Sequence, residues 1–75
     1  MPLHMPGLVR RSLVINGHRT SLALEPEFWT ALEAAARAEG VSLPALMAAI
    51  DRDRPPERLL AQAARVYALL RATAR

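Results

Sequence analysis

The sequence predicts a mostly α-helical chain that opens with a short β-ribbon or hairpin, works as a homodimer and carries an additional helix at its C-terminus. Three observations predict it. Between Arg19 and Trp29 the hydrophobic period switches from two residues to 3.6. Asn16-Gly17, the strongest two-residue turn signal, directly precedes the alternating segment. Gly40-Val41-Ser42 and Pro55-Pro56 then divide the remaining chain into three helical stretches.

Residues 1–9 read as a flexible arm and residues 10–75 as a single domain. Ser12-Leu13-Val14-Ile15 precedes the Asn-Gly turn, and Arg19-Thr20-Ser21-Leu22-Ala23-Leu24 follows it. A two-residue turn pairs Ile15 with His18, Val14 with Arg19, Leu13 with Thr20, Ser12 with Ser21 and Arg11 with Leu22. Leu13 and Ile15 then share a face with Thr20, Leu22 and Leu24, while Ser12 and Val14 share the other with Arg19, Ser21 and Ala23. Both strands agree on the core side, which favours a hairpin. The competing reading makes residues 12–15 an irregular arm lying along phosphates.

Glu25-Pro26-Glu27 suits a helix start, because proline loses nothing in the first turn and carboxylates favour the positive end of the helix dipole. The first helix is expected from Pro26 to Glu39, ending at Gly40 as a left-handed cap, with Phe28, Leu32 and Ala35 inward and Trp29, Ala31 and Ala36 flanking. Ser42 is placed to cap a second helix over Leu43–Arg52, whose Leu43, Leu46, Met47 and Ile50 keep one-face spacing. A third helix is expected over Glu57–Thr73, with Leu59, Ala63, Val66 and Leu70 on its stripe, Leu60 and Tyr67 beside it, and Arg58, Arg65, Arg71 and Arg75 exposed.

In order, these elements resemble the ribbon-helix-helix domain of Arc- and MetJ-type DNA-binding proteins. The stretch Gly17-His18-Arg19-Thr20-Ser21-Leu22-Ala23-Leu24-Glu25-Pro26-Glu27-Phe28-Trp29, followed by Leu32, Ile50-Asp51 and Arg54, is similar to a bacterial subgroup of small stand-alone members. The resemblance covers roughly residues 10–72. It implies a ribbon-helix-helix homodimer in which the ribbon enters the major groove of double-stranded DNA, and a small transcriptional repressor as the function. The outward positions Arg19, Ser21 and Ala23 are then the base-reading residues, although the family usually carries a polar residue where Ala23 stands. The turn Gly40-Val41-Ser42 becomes an anchor on a phosphate.

Length and composition lead to the same dimer. A 75-residue chain is one small domain, and such domains rely on disulfides, a metal or oligomerisation for stability. There is no cysteine, and His4 and His18 are the only histidines. Disulfides, thiolate zinc sites and cysteine nucleophiles are therefore excluded, and no metal or cofactor is expected. The core of the dimer is expected to contain Leu22, Leu24, Phe28, Leu32, Leu46 and Ile50.

All ten basic residues are arginine, and the net charge is +3. Arg10, Arg11 and Arg19 cluster in the ribbon, where no acidic residue precedes Glu25. That local charge is a phosphate-binding footprint, with Arg10 and Arg11 as the expected contacts. Arg19 can donate two hydrogen bonds to guanine, Ser21 can bond to either class of base, and Ala23 can touch a thymine methyl.

His18 is expected on the core side as a structural histidine, and Phe28 and Trp29 in core packing. Asp51 and Asp53, flanked by Arg52 and Arg54, read as a solvated helix end with local ion pairs, and no catalytic set can be assembled. No apolar run is long enough to span a membrane, and the N-terminus lacks the pattern of a signal peptide, so a cytoplasmic protein is expected. The rival function is a dimeric protein-interaction module on the same scaffold, with a partner on the C-terminal helix. An antitoxin is a third reading, disfavoured by the helical C-terminus.

Overall fold

The computed structural model describes residues 7–74. Two antiparallel strands, β1 (Val9–Ile15) and β2 (His18–Leu24), form a hairpin. Asn16 (φ 53°) and Gly17 (φ 79°) both adopt left-handed backbone, the type I′ geometry whose twist matches the flanking strands. The register pairs Ile15 with His18, Leu13 with Thr20, Ser12 with Ser21 and Arg11 with Leu22, and continues through Arg10–Ala23 to Val9–Leu24. Residues 12–15 are thus regular strand rather than an irregular arm. Val9, assigned from the sequence to that arm, is already paired; residues 1–6 of the arm lie outside the described residues.

The hairpin has one packed and one open face. Ile15, Leu22 and Leu24 are buried against the helices, with Leu13 packed beside them. Arg10, Ser12, Val14, Arg19 and Ser21 are exposed on the other side, and Ala23 is half-buried.

Three helices follow: α1 (Pro26–Glu39), α2 (Leu43–Asp53) and α3 (Leu60–Thr73). The first ends in a Schellman cap, in which Gly40 (φ 72°) places its own N–H on the Arg37 carbonyl at 3.1 Å and the Val41 N–H on the Ala36 carbonyl at 3.0 Å. Ser42 caps α2 by accepting from the Ala45 N–H at 3.1 Å. The expected start of α3 at Glu57 moves to Leu60. Pro55 closes a turn by accepting from the Arg58 N–H at 3.0 Å, and Gln62 Oε1 accepts from the Leu59 N–H at 2.9 Å.

Trp29, not Phe28, is the central side chain of the core. It is 2% exposed, whereas Phe28 is only partly buried. Its indole N–H donates to the Val9 carbonyl at 2.8 Å, tying α1 to β1. Leu22, Leu24, Leu32, Leu46 and Ile50, all expected in the core, are buried. The helix α3 is rotated from the expected stripe: it buries Ala63, Ala64 and Ala68, while Leu59, Leu69 and Leu70 stay more than half exposed. Small alanines let α3 approach the other helices closely. Two ion pairs then orient it, Arg65 with Glu25 at 2.9 Å and Arg71 with Glu39 at 2.5 Å. Arg65 and Arg71, expected on the open surface, thus clamp the last helix over the core. Arg75 lies outside the described residues.

Candidate nucleic-acid interface

The open face of the hairpin holds three cross-strand pairs: Arg10 with Ala23, Ser12 with Ser21 and Val14 with Arg19. Neither strand contains a carboxylate, and neither Arg10 nor Arg19 has an ion-pair partner among the described residues. Instead, each arginine reaches diagonally to a serine of the opposite strand. Arg10 Nη1 donates to Ser21 Oγ at 3.1 Å and Arg19 Nη1 to Ser12 Oγ at 3.3 Å. Two positive heads therefore converge on the central serine pair of an exposed sheet.

One edge of β2 is occupied by β1, and the other has no strand beside it among the described residues. Antiparallel pairing alternates between hydrogen-bonded and non-bonded residue pairs. With a two-residue turn joining Ile15 to His18, the groups of His18, Thr20, Leu22 and Leu24 face β1. The N–H and C=O groups of Arg19, Ser21 and Ala23 point to the unpaired edge, a template for another strand.

Arg11 does not belong to this face. It was expected to share a phosphate-binding cluster without counter-charge, but it lies on the packed side opposite Leu22. Its Nη1 meets Glu33 Oε2 at 2.8 Å, and its guanidinium lies 4.9 Å from the centroid of the Trp29 ring. The exposed arginine charge of the hairpin is carried by Arg10 and Arg19.

The helix-linking turn is also narrower as an anion site than its sequence implies. The N–H groups of Gly40 and Val41 are already bonded to carbonyls of α1, and that of Ala45 to Ser42. Pro44 has no N–H. The groups left for an anion are those of Ser42 and Leu43, with the Ser42 hydroxyl proton beside them.

His18, expected on the core side, is exposed at the hairpin tip. The register turns it toward the packed face opposite the buried Ile15, yet the residue itself stays exposed. Asp51 is held by Arg54 at 2.7 Å, and Arg54 Nη1 donates to the Arg58 carbonyl at 2.6 Å, so this acidic segment fastens the linker between α2 and α3. Among the described residues no group of three His, Asp or Glu side chains could hold a metal ion. Nor, among those residues, is any helix long and apolar enough to cross a membrane.

Ser12 is a member of this face that no sequence motif singles out. Its signal was the register, which already set Ser12 opposite Ser21 on the outward face.

A paired N-terminal ribbon packed on two capped helices, with a polar basic outer face, defines a class of nucleic-acid-binding scaffold. The chain belongs to the ribbon-helix-helix domain family, whose match covers residues 8–72. That domain is typically a DNA-binding, non-catalytic fold. No curated protein and no solved structure matches the chain.

Proposed function

We propose that this chain is a homodimeric regulator of transcription in the cytoplasm, and that it binds double-stranded DNA through the outer face of its hairpin. The observation that carries the reading is the basic, carboxylate-free face formed by Arg10, Ser12, Arg19 and Ser21, next to an unpaired edge of β2. Two copies of β2 join along that edge near Ser21. Arg19 and Ser21 meet base edges, Ala23 offers a methyl contact, and Arg10 holds a phosphate. Ser42 and the Leu43 N–H take a second phosphate at the start of α2.

The joined sheet has four strands. At about 4.8 Å between neighbours it spans roughly 14 Å between outer axes, against a major groove about 12 Å wide. The right-handed twist of about 20–25° per strand lets the two central β2 strands enter while each β1 rides along the flanking backbone. Arg10, on β1, stands where such a strand meets phosphates.

A fluorescence-anisotropy titration at several salt concentrations tests the reading. Arg19→Ala should lose base discrimination worth about 1–3 kcal/mol. Arg10→Ala should weaken binding to every sequence and flatten the salt dependence. Absence of affinity for any duplex at low salt would refute it. The second reading, a dimeric protein-interaction module, is favoured by one feature: α3 leaves Leu59, Leu69 and Leu70 more than half exposed. That surface suits an apolar protein partner, and DNA does not.

A further inference from the structure

The two diagonal Arg–Ser bonds determine what kind of base the hairpin face can accept. A serine hydroxyl can ordinarily donate or accept, and so suits any base edge. Here Ser21 Oγ already accepts from Arg10, and Ser12 Oγ from Arg19. With one lone pair of each oxygen engaged, each serine keeps its proton to donate and a single lone pair to accept. The guanidinium groups donate only. The outer face is therefore rich in donors and poor in acceptors, flanked by the apolar Val14 and Ala23.

In the major groove guanine shows two acceptors, N7 and O6, whereas adenine pairs its acceptor with an N6 amino donor and cytosine shows an N4 amino donor. A donor-rich face is matched best by the two acceptors of guanine, whereas adenine and cytosine each set an amino donor against it. We propose that this face selects guanine-bearing duplex sites, and that β1 helps to set the selection. Ser12 is a positioning residue that holds the Arg19 guanidinium in place. Arg10, besides its phosphate, biases Ser21 toward donating. Holding an exposed arginine before binding reduces the side-chain freedom lost on contact. The inference rests on the DNA-binding reading above and adds to it the class of base and the contribution of β1.

The test compares three short duplexes of identical length: one with guanine steps in both strands, the same sequence with 7-deazaguanine, and one made only of A·T pairs. Replacing N7 by carbon removes one guanine acceptor while leaving Watson–Crick pairing intact. Wild type should prefer the guanine duplex over its 7-deaza counterpart by about tenfold, within the usual range for a bidentate arginine contact. Ser12→Ala should reduce that ratio severalfold, and Ser12→Thr, which keeps the hydroxyl, should restore it. Combined with Arg19→Ala, Ser12→Ala should have no further effect.

Equal binding of the guanine and 7-deaza duplexes by wild type would overturn the selection of guanine while leaving DNA binding in place. A normal ratio in Ser12→Ala would overturn the role of β1. Failure to bind any of the three duplexes at low salt would overturn both this inference and the reading beneath it.

Discussion

Replacing Trp29 by phenylalanine is expected to destabilise the fold by about 2–3 kcal/mol, from three contributions. The first is the indole bond to the Val9 carbonyl at 2.8 Å, worth about 1 kcal/mol net. Val9 is itself 40% exposed, so water can reach that strand end and temper the penalty for its carbonyl. Second, a phenyl ring is smaller by roughly 40 Å³, and about 24 cal/mol per Å³ of residual cavity gives about 1 kcal/mol. The third is the stacked Arg11 guanidinium at 4.9 Å, an exposed-type cation–π contact of about 0.5–1 kcal/mol that weakens over a smaller ring. Urea unfolding followed by far-ultraviolet circular dichroism measures the sum at one fixed protein concentration, because dimerisation would shift the midpoint. In a domain of this size the melting temperature should fall by about 10–20 °C. A loss below about 1 kcal/mol would refute Trp29 as the side chain that joins β1 to α1.

Three other perturbations test separate parts of the structure. Leu22→Asp puts a charge at a position 8% exposed on the packed face of β2; it should cost several kcal/mol and appear by circular dichroism as an unfolded chain. Glu25 is held below the ordinary carboxylate range, chiefly by its hydrogen bond from Arg65. Its stabilising contribution is therefore present at neutral pH and lost as pH falls through about 4.3 and below, so urea midpoints of Glu25→Gln should fall less steeply with acid than those of wild type. Gly40→Ala places a Cβ in open space but at φ 72°, so it should cost about 1 kcal/mol from backbone strain alone, read as a shift in urea midpoint with unchanged slope.

Local signals in this chain were readable, and long-range ones were not. Asn16-Gly17 sets the hairpin register because a two-residue turn leaves no freedom in pairing, and alternation then assigns both faces. Pro26, Gly40 and Ser42 bound the first two helices because their backbone requirements are local. Arg11 was misplaced because Glu33 lies 22 residues away, and nothing near Arg11 announces that partner. Arg65 and Arg71 were misplaced for the same reason, their carboxylates lying 40 and 32 residues away. Phe28 and Trp29 are adjacent and about 100° apart on a helix, so periodicity alone could not choose between them. On α3 the expected stripe of Leu59, Ala63, Val66 and Leu70 is right at Ala63, but packing buries Ala64 and Ala68 in place of the two leucines. At the turn, only the cap geometry shows that the N–H groups of Gly40 and Val41 are already engaged.

The central claim, that the outer face of the hairpin is the DNA-contacting surface, is tested most directly by titrating an isotope-labelled chain with a short guanine-containing duplex at low salt and following backbone amide resonances. The perturbed amides should be those of Arg10, Ser12, Arg19, Ser21 and Ala23, with Ser42 and Leu43 at the start of α2. Leu59, Leu69 and Leu70 should stay unshifted. Shifts confined to α3, or none at all, would contradict the account.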